Sequence, residues 1–108
     1  MRLKPEPGRA RVIGIRPEIA FAALVVDGVI REASGSGAVV TAGTDGTHSP
    51  GSKHYVGAAI DVQSHGLDAP KVLKILQDRL GPDFDVILED AGAPNEHFHV
   101  ELDPKERL

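Results

Sequence analysis

The 108-residue sequence predicts an α+β domain, a small antiparallel or mixed sheet with helices packed on one side. Three observations point there. Two segments begin with a proline in a first helical turn and carry apolar residues at helical spacing. Four short apolar or alternating segments lie between turn residues, as strands do. No internal repeat or break in composition divides the chain, so residues 1–108 read as one domain with one modest core.

The elements follow in order. Residues 1–10, with Pro5, Pro7 and Gly8, read as an extended lead-in. Residues 1–16 hold five basic side chains against Glu6, a local net charge of +4 that leaves −8 for the rest. A solvated, partly mobile tail is expected there. RPEIAFAALVVDGVIREA reads as a helix, with Pro17 and Glu18 suited to its start and Ile19, Ala23, Val26 and Ile30 on one face. LVV-DG-VIR also fits a hairpin with an Asp-Gly turn. The helix is preferred because Gly28 costs only about 1 kcal/mol inside one.

GSGAVVTAG reads as a short buried strand, GTDGTHSPGSKHYVG (43–57) as a long loop of the functional kind, and AAIDV as a second strand. DAPKVLKILQDRLG is the clearest helix, capped by Asp68, started by Pro70 and stopped by Gly81, with Val72, Leu73, Leu76 and Leu80 as its apolar face. FDVILE and HFHVEL are the last strands, joined by the turn DAGAPN, and residues 103–108 form a tail.

Composition removes several functions. Aromatics are 4% with no tryptophan and the net charge is −4, so neither a base-stacking platform nor a phosphate-tracking surface is expected, and no nucleic-acid partner. Without cysteine, a metal must be held by His, Asp and Glu. The longest apolar run, Ile19 to Val26, ends at Asp27 and is too short for a bilayer, so no membrane partner is expected. No apolar segment follows MRLKPEPGRARV, so a signal peptide is not expected. The chain is expected to be a monomer.

Chemistry concentrates in Asn95–Leu102, NEHFHVEL. Alternation puts His97, His99 and Glu101 on one face of a strand and Phe98, Val100 and Leu102 on the other. The second set suits a core, so the first looks to solvent or a cleft. A lone HxH is a weak signal. His54 and Asp61 in SKHYVGAAID strengthen it. Asp61 alternates with the core residues Ile60 and Val62, and Gly57 lets the chain bend back between His54 and Asp61. Two imidazoles and one carboxylate make a reasonable zinc set with one position left open.

The pattern Ser52-x-His54-x-x-Gly57-x-Ala59-x-Asp61, followed by Glu96-His97-x-His99, resembles the zinc D-Ala-D-Ala carboxypeptidases and the phage L-alanyl-D-glutamate endolysins, which share the hedgehog/DD-peptidase fold. The likeness spans about residues 38–102. It implies Zn2+ held by His54, Asp61 and His99, with Glu96 as general base and His97 beside the attacked carbonyl. It also implies hydrolysis of a D-Ala-D-Ala or L-Ala-D-Glu bond in the peptidoglycan stem peptide. A phage-encoded enzyme of this kind would be made in the cytoplasm and released to the wall.

Two points stand against a complete match. Residues three apart on a regular strand face opposite ways, so Glu96 reaches the metal only if the strand begins irregularly after Pro94 and Asn95. The family arginine that follows a Ser-Gly pair is missing from Thr41-Ala42-Gly43-Thr44-Asp45; His48 is the nearest substitute, and Ser52 and Tyr55 are further candidates for contact with substrate. The missing arginine leaves room for another reading, a metal-binding phage or wall-binding module without turnover.

Overall fold

The computed structural model describes residues 1–105. Its elements run β1 (Arg2–Leu3), α1 (Pro17–Ser34), β2 (Val39–Ala42), a short 3-10 helix (Lys53–Val56), β3 (Ala59–Gln63), α2 (Ala69–Leu80), β4 (Phe84–Glu89) and β5 (His97–Leu102). The architecture is α+β. One five-stranded mixed sheet, in the order β1-β2-β3-β5-β4, carries two helices packed against it. The β1–β2 pair is parallel and the other pairs are antiparallel.

Helix α1 runs through Gly28 and ends where Gly35 turns left-handed and donates its N–H to Arg31 O at 2.8 Å. The Asp-Gly pair is therefore helical and not a hairpin turn. Asp27 satisfies chain neighbours instead: it accepts the Ala38 N–H at 2.8 Å and pairs with Arg31 at 2.9 Å and the N-terminal amine at 3.0 Å. These donors hold its carboxyl down at about 2, the Ala38 N–H having the largest effect.

The same contact corrects the expectation of a mobile tail. The lead-in joins the sheet edge, with Arg2 N–H bonded to Ala38 O at 2.9 Å and Lys4 N–H to Val40 O at 2.8 Å. Of the expected C-terminal tail 103–108, residues 106–108 lie outside the described residues. Asp103 and Lys105 are tied by their N–H groups to Asp83.

Helix α2 starts as its sequence implies, with Asp68 accepting the Lys71 N–H at 3.4 Å and Pro70 in its first turn. The core lies between the helices and one face of the sheet. Ile19, Val26 and Ile30 of α1 and Val72 and Leu76 of α2 meet Ile60 and Val62 of β3, Val86 of β4 and Phe98 and Val100 of β5. Phe98 is fully buried. No helix among the described residues is long and apolar enough to cross a membrane.

Alternation commits the other face of β3, β4 and β5 to polar groups. Asp61 lies directly across from His99, Glu89 across from His97, and Ile87 across from His99 on the far side. The helices take one side of the sheet and the chemistry takes the other.

Candidate metal centre

The loop 43–57 folds over the polar face and delivers His54. Its 3-10 helix starts at Ser52, whose hydroxyl accepts the His54 N–H at 3.2 Å. It ends at Gly57, which is left-handed with φ 71°. Only glycine fits there, because a Cβ would run into the Gly14 carbonyl as well as straining the backbone. The turn hands the chain directly to β3, so His54 and Asp61 meet although seven residues separate them.

His54, Asp61 and His99 converge. Asp61 Oδ1 lies 3.2 Å from His54 Nε2 and 2.9 Å from His99 Nδ1. These three residues can hold a metal ion; their ligand atoms all lie within 4.8 Å of one another. His54 and Asp61 are buried, with 2% and 8% of their surface exposed, and His99 is half-buried. Polar side chains this deep need partners. They find them in one another and in acceptors behind them, and no buried side-chain nitrogen or oxygen among the described residues is left without one.

The acceptors behind the rings decide which nitrogen faces the cluster. His54 Nδ1 lies 2.8 Å from Gly43 O. A carbonyl can only accept, so Nδ1 carries the hydrogen and Nε2 turns to Asp61. His99 Nε2 lies 3.0 Å from Glu101 Oε1, a carboxylate that holds the hydrogen on Nε2 and turns Nδ1 to Asp61. This is the outer-shell arrangement that orients metal-binding imidazoles. The donor set therefore fits a divalent ion: two oriented nitrogens and one carboxylate oxygen.

Charge fits as well. Burial alone would raise the Asp61 pKa, but hydrogen bonds from His54 and His99 outweigh it and hold the carboxyl ionised well below its usual range. The Asp61 bond is also the largest influence on His99, and against the opposing effect of burial it raises that imidazole to about 9. Burial works to lower the His54 pKa, yet the bond and charge of Asp61 leave it raised. The proton on His99 thus offsets the charge of Asp61 in the metal-free chain, and a cation binding there displaces it.

The other residues singled out from sequence take varied positions. His48 stacks on the His54 ring, with centroids 4.0 Å apart and planes 12° from parallel, and its Nε2 donates to Asp45 O at 2.9 Å. Tyr55 is half exposed, and its hydroxyl bonds the His48 backbone N–H at 2.6 Å and carbonyl at 2.7 Å. Ser52 caps the short helix and also lines the open cleft, of about 500 Å³, in front of the cluster. His97 projects into this cleft. Glu96 lines an adjoining cleft that shares Asp61, Asn95 and His97 with the first. Its carboxylate accepts the Ser64 hydroxyl at 2.6 Å and the Gly92 N–H at 2.9 Å, which lower its pKa in that order.

One residue of the cluster escapes sequence reasoning. Glu89 Oε1 lies 3.2 Å from His97 Nε2 and 3.5 Å from His99 Nδ1. Its signal is present in FDVILE, where Glu89 alternates with the core-facing Val86 and Leu88 phase as Asp61 does on β3. No arginine or lysine among the described residues lines the main cleft. No family model, curated protein or solved structure matches the chain.

Proposed function

We propose that the protein is a zinc metallopeptidase that hydrolyses a D-Ala-D-Ala or L-Ala-D-Glu bond in the stem peptide of bacterial peptidoglycan. The observation that carries this reading is the meeting of His54 Nε2, Asp61 Oδ1 and His99 Nδ1 beside an open cleft, with both rings held by acceptors behind them. Two imidazoles, one carboxylate and no thiolate suit zinc in a site that keeps an open position. Zinc bound there would lower the pKa of a water ligand toward about 7 and polarise the scissile carbonyl.

The chain's own groups do the rest. Glu96 would be the general base, taking a proton and passing it to the leaving amine; its carboxylate is held by Ser64 and Gly92, so it would have to exchange one of those bonds to do so. His97 lines both clefts and would stand beside the attacked carbonyl of a peptide bound where they meet. His48, stacked on His54, fixes the wall of the cleft on the loop side. Incubating zinc-loaded protein with purified peptidoglycan is expected to release new amine ends, and Glu96→Gln is expected to lose that activity while keeping its metal. Full cleavage by Glu96→Gln removes Glu96 from the mechanism.

The lack of a cationic side chain in the main cleft favours a second reading. A stem peptide presents carboxylates, and no lysine or arginine among the described residues lines that cleft to receive them. In this reading the protein is a metal-binding module of a phage, a prophage or a wall-binding assembly, without turnover. Absence of new amine ends across several peptidoglycan chemistries, with metal bound, selects it.

A further inference from the structure

The His54–Asp61–His99 trio leaves part of the cluster unused. Asp61 has two oxygens, and they face different ways. Oδ1 faces His54 and His99. Oδ2 faces His97, with Nε2 at 3.6 Å, and His97 Nε2 in turn lies 3.2 Å from Glu89 Oε1. Asp61, Glu89 and His97 form a second trio whose ligand atoms also lie within 4.8 Å of one another.

His97 is oriented in the same manner as the other two rings. Its Nδ1 lies 2.8 Å from Asn95 O, an acceptor only, so Nδ1 carries the hydrogen and Nε2 turns to Glu89 and Asp61. The strands fix this geometry, because Glu89 on β4 stands directly across from His97 on β5.

We propose that Asp61 bridges two divalent-cation positions: one held by His54 and His99, the other by His97 and Glu89. Nitrogen and oxygen ligands at about 2.0–2.2 Å around a tetrahedral ion lie roughly 3.4 Å from each other. The separations of 3.6 and 3.2 Å in the second trio match that spacing as well as those of the first do. A bridging carboxylate suits ions about 3.5–4 Å apart, as in two-metal hydrolytic sites. The second position takes the same class of ion, zinc, manganese or cobalt, from its mixed nitrogen and oxygen donors. It is the weaker of the two, because the Glu89 side chain is 42% exposed against 3% for His54. With a cation on Nε2, His97 gives up any role as a proton donor to substrate.

The inference rests on the metal position of the reading above and not on peptidase activity, and metal stoichiometry separates them. Zinc titration of the full chain followed by native mass spectrometry is expected to give one tightly bound ion and then a second. Glu89→Gln and His97→Gln are each expected to stop at one, with the affinity of the first ion changed less than tenfold. Two manganese ions on the wild-type chain are expected to give the spectrum of a magnetically coupled pair. Saturation at one ion overturns the bridge. A second ion retained by Glu89→Gln, or two uncoupled manganese ions, overturns it too. No bound ion at all removes both the bridge and the zinc reading, whereas two coupled ions without cleavage keep the bridge and remove the peptidase.

Discussion

The two faces of β3 and β5 are built from alternate residues of the same strands and have opposite fates. Ile60, Val62, Phe98 and Val100 face the helices and are at most 1% exposed. Asp61, His97 and His99, interleaved with them, face away and gather charge. The first face holds the fold together by excluding water. The second is costly to the fold, since a carboxylate and imidazoles are brought out of water and compensate one another only through close contact. The polar face is therefore positioned by the apolar one, and a substitution should act according to its face and not its place in the chain.

The sharpest way to break that comparison is a pair of substitutions on the neighbouring strands β3 and β5, one to each face. Phe98→Ala empties a fully buried site and is expected to lower stability by about 3–5 kcal/mol, enough to threaten a domain of ordinary stability. Denaturant unfolding reads this directly. Next in size is Asp61→Asn on the opposite face. It removes the negative charge of the shared carboxylate and is expected to weaken metal binding by at least about 100-fold, because a neutral amide oxygen is a poor ligand and a weaker acceptor for the two rings. The chain should still fold. Imidazole titration by NMR should show His99 falling from about 9, since the Asp61 bond is the main cause of its elevation. A His99 value unmoved in Asp61→Asn would detach Asp61 from the cluster.

The faces should also separate with pH. The folded-state pKa of His99 is about 9, above its ordinary 6.5. Its contribution to stability is then complete below pH 6.5 and lost as pH rises through 9. Asp61 is held below its ordinary 3.8, so its contribution is present above that value and lost as pH falls below it. With chelator present, the thermal midpoint should be highest between these limits and decline from pH 6.5 to 9. Metal affinity should rise over the same interval, because the ion competes with the His99 proton. A metal-free midpoint that is flat from pH 6.5 to 9 would show that His99 is not protonated in the fold.

The same division explains what is legible in the sequence. Both helices, the strands β2 to β5 and the one-sided packing follow from apolar spacing and from prolines and glycines at element ends, which are local signals. The convergence of His54, Asp61 and His99 is also legible, because alternation fixes the face of Asp61 and His99 and Gly57 marks the turn that returns His54. Glu89 is harder to see. Its approach to His97 depends on the register of β4 against β5, and the turn of residues 90–96 is too long to fix that register by its own chemistry. Strand β1 is two residues long, Arg2 and Leu3, both exposed, so it has no alternation to read; only its bonds to Ala38 and Val40 reveal it. The hold of Ser64 on Glu96 is likewise a contact between distant segments.

A smaller effect is expected behind the polar face. Gly43 presents its carbonyl to His54, and a Cβ on it would run into the Arg11 carbonyl. Gly43→Ala must move one of these backbones, and the acceptor that orients His54 moves with it. Loss of such an outer-shell contact typically weakens metal binding by about 10–100-fold. Calorimetric titration should find that loss with the helical circular dichroism unchanged.

Tyr55 marks the lower end of the scale. It sits beside His54 in sequence, but its ring is half exposed and does not line the main cleft, and its hydroxyl serves only the His48 backbone. Tyr55→Phe removes those two bonds at a position where water can replace them. The expected cost is therefore no more than about 1 kcal/mol. The stacked His48 keeps its bond to Asp45 O, so His54 stays oriented and metal affinity should change less than threefold. Under the peptidase reading, the substitution should leave KM for peptidoglycan unaltered. A large rise in KM at constant metal affinity would instead place the phenol in contact with substrate, and would extend the working surface from the floor of the sheet onto the outer side of the loop.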